Sequence, residues 1–117
     1  MVFKAIALLT RKPGLSRAEF IDYYERNHAP LITSLFPQIV EYRRNFVDLT
    51  DSLRAPGVPD PDFDVVTEMW FRDRAGYEEM LATHARPEVG EAVRRDELNF
   101  LDRTKTIQFV VDERALP

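Results

Sequence analysis

The chain opens on a run, Val2 to Leu9, in which both alternating sets of positions are apolar: Phe3, Ala5, Ala7 and Leu9 on one side, Val2, Ile6 and Leu8 on the other. That pattern predicts a strand covered on two sides. After Lys12-Pro13-Gly14, Ser16 stands three residues before Glu19, a capping-box spacing that opens a helix. Phe20, Tyr24, His28, Leu31 and Leu35 follow at steps of four and three, so all five share a face. Pro30 has no amide proton and disfavours helical geometry at Ala29, which predicts a stop or kink close to His28.

A second strand is expected from Gln38 to Asp48, with Val40, Tyr42, Arg44 and Phe46 inward and Glu41 and Arg43 among the opposite set. Leu49 to Phe63 holds three prolines and a glycine with little periodicity, which marks a long connection of the kind that is a lid, a partner arm or disordered. Asp64 to Phe71 is a third strand, with Val65, Thr67, Met69 and Phe71 on one face and Val66, Glu68 and Trp70 on the other. Asp73 caps a helix through Met80 or Leu81, and Pro87 begins another that carries Val89, Ala92, Val93 and Asp96 on one side and ends near Asn99. Thr104 to Val111 closes the series as a fourth strand. The order βαββαβ over residues 1–117 predicts a single α+β domain of ferredoxin-like type, a four-stranded antiparallel sheet with helices on one face.

Helices on one face leave the other to be covered, and strands one and three are apolar on both. A homodimer with two sheets face to face, closing an α+β barrel, supplies that cover; a monomer whose 49–63 loop folds over the sheet is the alternative. Composition agrees with a packed core, since 44% of the 117 residues are hydrophobic. The net charge of -4, spread along the chain, argues against nucleic acid as a partner. No apolar run approaches the length of a membrane span, so no membrane is expected. There is no cysteine, which removes thiolate chemistry and fits a cytoplasmic setting. The N-terminal run, with Lys4 in its middle, reads as a strand rather than a targeting segment.

His28 is the leading chemical candidate, an imidazole on an apolar helix face beside a proline-imposed break. Imidazole titrates near neutrality and can serve as base or acid. The competing reading is a core histidine bonded to a freed carbonyl. Asp102, between the last helix and the last strand, is expected to orient the ring, or else to bond local amides or Arg103. Tyr24 and Tyr42 can reach the same cavity and stabilise an enolate oxygen, or simply fill the core. Glu68, Arg44 and Asp96 are secondary candidates, with a Glu68–Arg44 cross-strand pair expected to be structural. His84 reads as an exposed residue, and two distant histidines without a spaced acid give no metal motif. Phosphate loops and nucleophile elbows are also missing from the sequence.

Lys12-Pro13-Gly14-Leu15-Ser16, Glu19-Phe20, Tyr23-Tyr24 and His28-Ala29-Pro30-Leu31 together resemble the signature of the EthD family, within the dimeric α+β barrel superfamily. Glu68-Met69-Trp70-Phe71 and Asn99-Phe100-Leu101-Asp102 extend the resemblance over most of the chain. It implies a cavity between helices and sheet and chemistry without metal or organic cofactor. Relatives in the superfamily include polyketide cyclases and dehydratases, muconolactone isomerases and cofactor-independent monooxygenases. The EthD name itself comes from a protein encoded beside a haem monooxygenase system.

The expectation is therefore a cofactor-independent acid–base enzyme of lyase, cyclase, dehydratase or isomerase type. It acts on a small aromatic or polyketide-like substrate in a pocket lined by Phe20, Tyr24, Tyr42, Trp70 and Phe100. The alternatives are a non-catalytic accessory of a monooxygenase or degradation pathway and a cofactor-independent monooxygenase.

Overall fold

The structure is a computed structural model and describes residues 2–117. Strand β1 (Phe3–Leu9) leads through a turn to helix α1 (Arg17–Tyr23), a wide helical turn (Tyr24–His28) and helix α2 (Ala29–Leu35). Strands β2 (Ile39–Phe46) and β3 (Val65–Phe71) follow, then helices α3 (Arg74–His84) and α4 (Pro87–Glu97), a single 3₁₀ turn (Arg103–Lys105) and strand β4 (Ile107–Val111). The four strands form one antiparallel sheet in the order β2-β3-β1-β4, the ferredoxin-like arrangement expected from the element order. Among the described residues no helix is long and apolar enough to cross a membrane.

Alternation along β1 and β3 sets the layers. Ala5, Ala7, Leu9, Val65, Thr67, Met69 and Phe71 are buried under the helices, and their neighbours in sequence face the other way. Ala7 and Thr67 are opposite each other, and their small side chains leave unfilled space beneath the helices. Strand β2 departs from the expected alternation at Val40, which is 61% exposed and not inward. The register slips between Ile39 and Glu41, so one extra residue is bulged out and Ile39 and Tyr42 take the inner positions.

The capping box is formed as expected. The Ser16 hydroxyl accepts from the Glu19 amide at 3.1 Å, and the Glu19 carboxylate accepts from the Ser16 amide at 2.9 Å. The break expected at Pro30 takes a particular form. The helix does not stop; its turn widens so that the Ala29 amide bonds the Tyr24 carbonyl five residues back. Pro30 then sits in the first turn of α2, directly after the wide turn.

Helices α3 and α4 meet closely where Gly90 passes the His84 carbonyl; a Cβ there would lie 2.9 Å from that oxygen. The 49–63 connection is held at its end, where Asp62 offers its carbonyl to the Thr10 hydroxyl at 2.6 Å and its carboxylate to Lys105 at 3.1 Å. Leu53 is fully exposed and Val58 half-exposed, so the loop does not bury its apolar residues on the sheet as the monomer alternative requires.

The face of the sheet away from the helices carries Ile6, Leu8, Val66, Trp70, Ile107 and Phe109, interrupted by a charged group of Lys4, Glu68 and Arg43. Glu68 lies opposite Arg43 and 3.7 Å from Lys4. The expected Glu68–Arg44 pair does not form, because one residue along a strand changes the face; Arg44 points to the helix side and binds Glu25 at 2.6 and 2.8 Å.

Candidate functional site

The wide turn determines where His28 points. Tyr24 and His28 sit on its inner side, 0% and 3% exposed, with their rings edge to face at 5.3 Å. Phe100 supports the imidazole from beside it at 4.8 Å. The His28 ring and the Tyr24 and Tyr42 side chains line a cavity of about 100 Å³ between helices and sheet, floored by Ala7 and Thr67 and walled by Ile32 and Met80. Toward its outer side the lining turns polar, with His84, Glu97, Thr106 and Gln108. His84 is exposed, as expected, and stacks on Phe36 at 6.1 Å.

The carboxylate that holds His28 is Asp96, whose Oδ2 lies 2.7 Å from Nδ1. Asp102 does not play that part. It caps the 3₁₀ turn, its Oδ1 accepting from the Thr104 amide at 3.1 Å and the Thr104 hydroxyl at 2.6 Å, and these bonds hold its carboxyl below the usual aspartate range. Asp96 projects from α4 on the same stripe as Val89 and Val93, so a helix face delivers what a loop residue was expected to supply.

With Nδ1–H donating to Asp96, the remaining ring nitrogen Nε2 carries a lone pair, and no side chain among the described residues hydrogen-bonds it. Burial lowers the His28 pKa from its ordinary value, against the opposing pull of Asp96 and Glu97. The ring is therefore neutral at pH 7 and able to accept a proton.

The phenols form a second group. Tyr24 stands between the Thr67 hydroxyl at 2.7 Å and the Tyr42 hydroxyl at 2.8 Å. Burial pushes the Tyr24 pKa up to about 12 and raises that of Tyr42 well above the ordinary phenol value, so both stay protonated. If Thr67 donates to Tyr24 and Tyr24 to Tyr42, the Tyr42 proton is free for a bound molecule. The guanidinium of Arg44 lies over the Tyr42 ring at 5.0 Å and is itself held by Glu25.

Three expected pocket residues lie elsewhere. Phe20 is 1% exposed and packs against Tyr24, Phe46 and Phe100 in the core without lining the cavity. Phe100 backs the His28 ring from the core side and likewise does not line the cavity. Trp70 is on the opposite face of the sheet, between Lys4 at 4.4 Å and Arg43 at 5.2 Å. Met69 and Phe71 take the helix side, so the pleat turns Trp70 away. Among the described residues, none from 49–63 lines the cavity, so the loop is no lid over it.

The chain thus combines a ferredoxin-like α+β fold with a largely apolar hollow between helices and sheet, walled in part by His28, behind which stands its carboxylate partner Asp96. The particular family is given by the EthD domain model, which matches residues 12–104; the chain belongs to the EthD domain family.

Solved structures agree on the fold. An ethyl tert-butyl ether D (EthD) family protein from Bacillus halodurans superposes with a TM-score of 0.65 at 22% identity, covering 97% of this chain and 100% of that one. A DABB family protein with a ferredoxin-like fold from Mesorhizobium loti gives 0.61 at 15% identity, covering 97% and 98%. SnoaB, a cofactor-independent oxygenase from Streptomyces nogalater, gives 0.57 at 16% identity, covering 98% and 95%. No curated protein matches the chain in sequence.

Proposed function

We propose that the protein is a cofactor-independent acid–base catalyst in which His28 moves a proton to and from carbon beside a carbonyl. The observation that carries this reading is the imidazole itself: buried, neutral, tied at Nδ1 to Asp96, and unpaired at Nε2 where it lines an apolar cavity. Nε2 takes the proton, forming an imidazolium that Asp96 stabilises, while the electron pair of the broken C–H bond moves onto the carbonyl oxygen as an enolate. The Tyr42 hydroxyl donates to that oxygen as charge develops. The same proton then returns to another carbon, giving isomerisation, to the alkoxide formed when the enolate carbon attacks a second carbonyl of the substrate, giving cyclisation, or to a departing hydroxyl, giving dehydration.

The cavity of about 100 Å³ is smaller than the roughly 150 Å³ that holds a benzene ring, so this reading disfavours a multi-ring polyketide and admits a one-ring substrate only with outward movement of the cavity wall. Proton exchange into small aryl ketones such as acetophenones in D₂O, followed by NMR, tests the chemistry without knowledge of the natural substrate. The protein should accelerate exchange, and His28→Gln should lose on the order of 10²-fold or more of that acceleration. Equal exchange by the variant and the wild type would overturn the assignment.

A second reading is favoured by the fold shared with SnoaB: the carbanion made by the same base passes an electron to dioxygen, the substrate radical and superoxide combine into a C–O bond, and the peroxide, protonated by His28, loses water to leave a carbonyl. Oxygen uptake with an electron-rich phenol, dependent on His28, would shift the assignment to that reading.

We also propose that two chains associate through their open sheet faces. The support is the apolar character of that face, with Ile107 53% and Phe109 38% exposed in one chain.

A further inference from the structure

Asp96 uses only one of its oxygens on His28. The other, Oδ1, lies 2.7 Å from the Tyr23 hydroxyl, and that hydroxyl lies 2.9 Å from the Asn99 amide nitrogen. The same amide nitrogen also reaches the Arg95 carbonyl at 3.2 Å. These contacts admit one arrangement of protons. A backbone carbonyl only accepts, so the Asn99 group facing it must be the NH₂, which then also donates to Tyr23. Tyr23, receiving at its oxygen, passes its single proton to Asp96 Oδ1. Asp96 accepts on both oxygens, and Nδ1 of His28 is left as the donor.

We propose that Tyr23, backed by Asn99, is a positioning residue that locks His28 in the Nδ1–H tautomer and so keeps the Nε2 lone pair turned to the cavity. Its catalytic meaning rests on the proton-shuttle reading above, whereas the tautomer itself is observable without a substrate. Packing supports the same role. The Tyr23 ring stacks on Phe100 at 5.1 Å, and the His28 ring leans on Phe100 at 4.8 Å, so one aromatic ring sets the spacing of both partners of Asp96. Tyr23 and Tyr24, adjacent in sequence, thus divide the work: Tyr24 reaches the sheet and Tyr23 reaches α4.

Removing the Tyr23 hydroxyl has two predictable effects. Asp96 loses a donor that draws off part of its negative charge, so it holds an imidazolium more strongly and the His28 midpoint rises. The carboxylate also becomes free to turn, so the second tautomer becomes populated. The other ionisable groups around the ring are Glu97 on α4, Tyr24 on the wide turn, Tyr42 on β2 and His84 on α3. Glu97→Gln serves as a control, because it removes a charge without touching the string, and should lower the midpoint while leaving a single tautomer.

The test is long-range ¹H–¹⁵N correlation of the histidine rings in the full-length protein across pH 5 to 8, in the wild type, Tyr23→Phe and Asn99→Ala. The wild type should show His28 as one tautomer protonated at Nδ1. Tyr23→Phe should show mixed tautomers, a midpoint moved upward and an aryl-ketone exchange rate reduced on the order of tenfold, as for other groups that orient a reacting partner. Asn99→Ala, at an exposed position that tolerates change, should move the midpoint the same way by less, and it carries the test should Tyr23→Phe fail to fold. The proposal is overturned if the folded variants keep a single Nδ1–H tautomer and the wild-type midpoint. Loss of the tautomer lock with no His28-dependent exchange in any protein would uphold this inference and overturn the proton-shuttle reading instead.

Discussion

His28 is buried with its conjugate acid disfavoured, and that has a sign that can be measured. Its folded pKa lies below the ordinary 6.5, so below that pH the unfolded chain takes up a proton the folded one refuses. The stabilising contribution is complete above pH 6.5 and is lost as pH falls from there through the folded value, at a slope of at most about 1.4 kcal/mol per pH unit. Denaturant midpoints at pH 7.5 and 5.5 should differ in the wild type and differ less in His28→Gln. The rate of any His28-dependent reaction should rise through the same window and level off by neutrality. Tyr24→Phe strips a buried hydroxyl from both Thr67 and Tyr42 and should cost about 1–2 kcal/mol in urea unfolding, with Tyr42 left as a lone donor. The stripe Phe20–Tyr24–His28 made the imidazole readable from its spacing alone. Its acid was not, because choosing between Asp96 and Asp102 requires knowing how α4 crosses the wide turn. Spacing did carry one hint: Asp96 follows Val89 by seven and Val93 by three, on an otherwise apolar face.

At the level of elements, local rules held where the contacts are local. The Ser16–Glu19 box and the Asp73 cap both formed, and Ser16→Ala should lower stability by about 1 kcal/mol without moving the His28 signals. The register slip in β2 was not legible, since a bulge depends on pairing with β3 and not on Ile39 and Val40 themselves. Pro30 announced a disturbance, but whether a helix ends, bends or widens there is decided by what its inner face meets; here the turn is wide, and Tyr24 and His28 on its inner side bond Thr67 and Asp96. Gly90 matters for the α3–α4 pair. Gly90→Ala gains helix propensity of about 1 kcal/mol, yet it drives a methyl to 2.9 Å from the His84 carbonyl. The clash should win, lowering the melting temperature and shifting the His84 and Val93 resonances that report the cavity wall.

The molecule as a whole is a slab. Its principal extents are 43 × 41 × 22 Å and its Cα radius of gyration is 15.3 Å, against about 13 Å for an average domain of this length. One helical layer on one sheet, with a long projecting loop, accounts for the excess. Pairing of two such slabs across their open faces predicts a dimer by sedimentation, and Phe109→Glu or Trp70→Glu should return it to a single chain with the His28 signals unchanged. A dimer that survives both substitutions would place its contact elsewhere. The two-sided apolar pattern of β1 and β3 carried this expectation from the sequence, while the charged cluster of Lys4, Glu68 and Arg43 within the same face did not show until the strands were in register.

Among the described residues strand β4 pairs only with β1, and Ile107, Phe109 and Val110 remain substantially open to solvent along that border. A short, apolar, unpartnered strand is a template on which further chains can lay down backbone hydrogen bonds. Preparations kept as isolated chains should therefore lose material to fibrous precipitate on storage, and lysine introduced at Val110 should lengthen their useful life in solution.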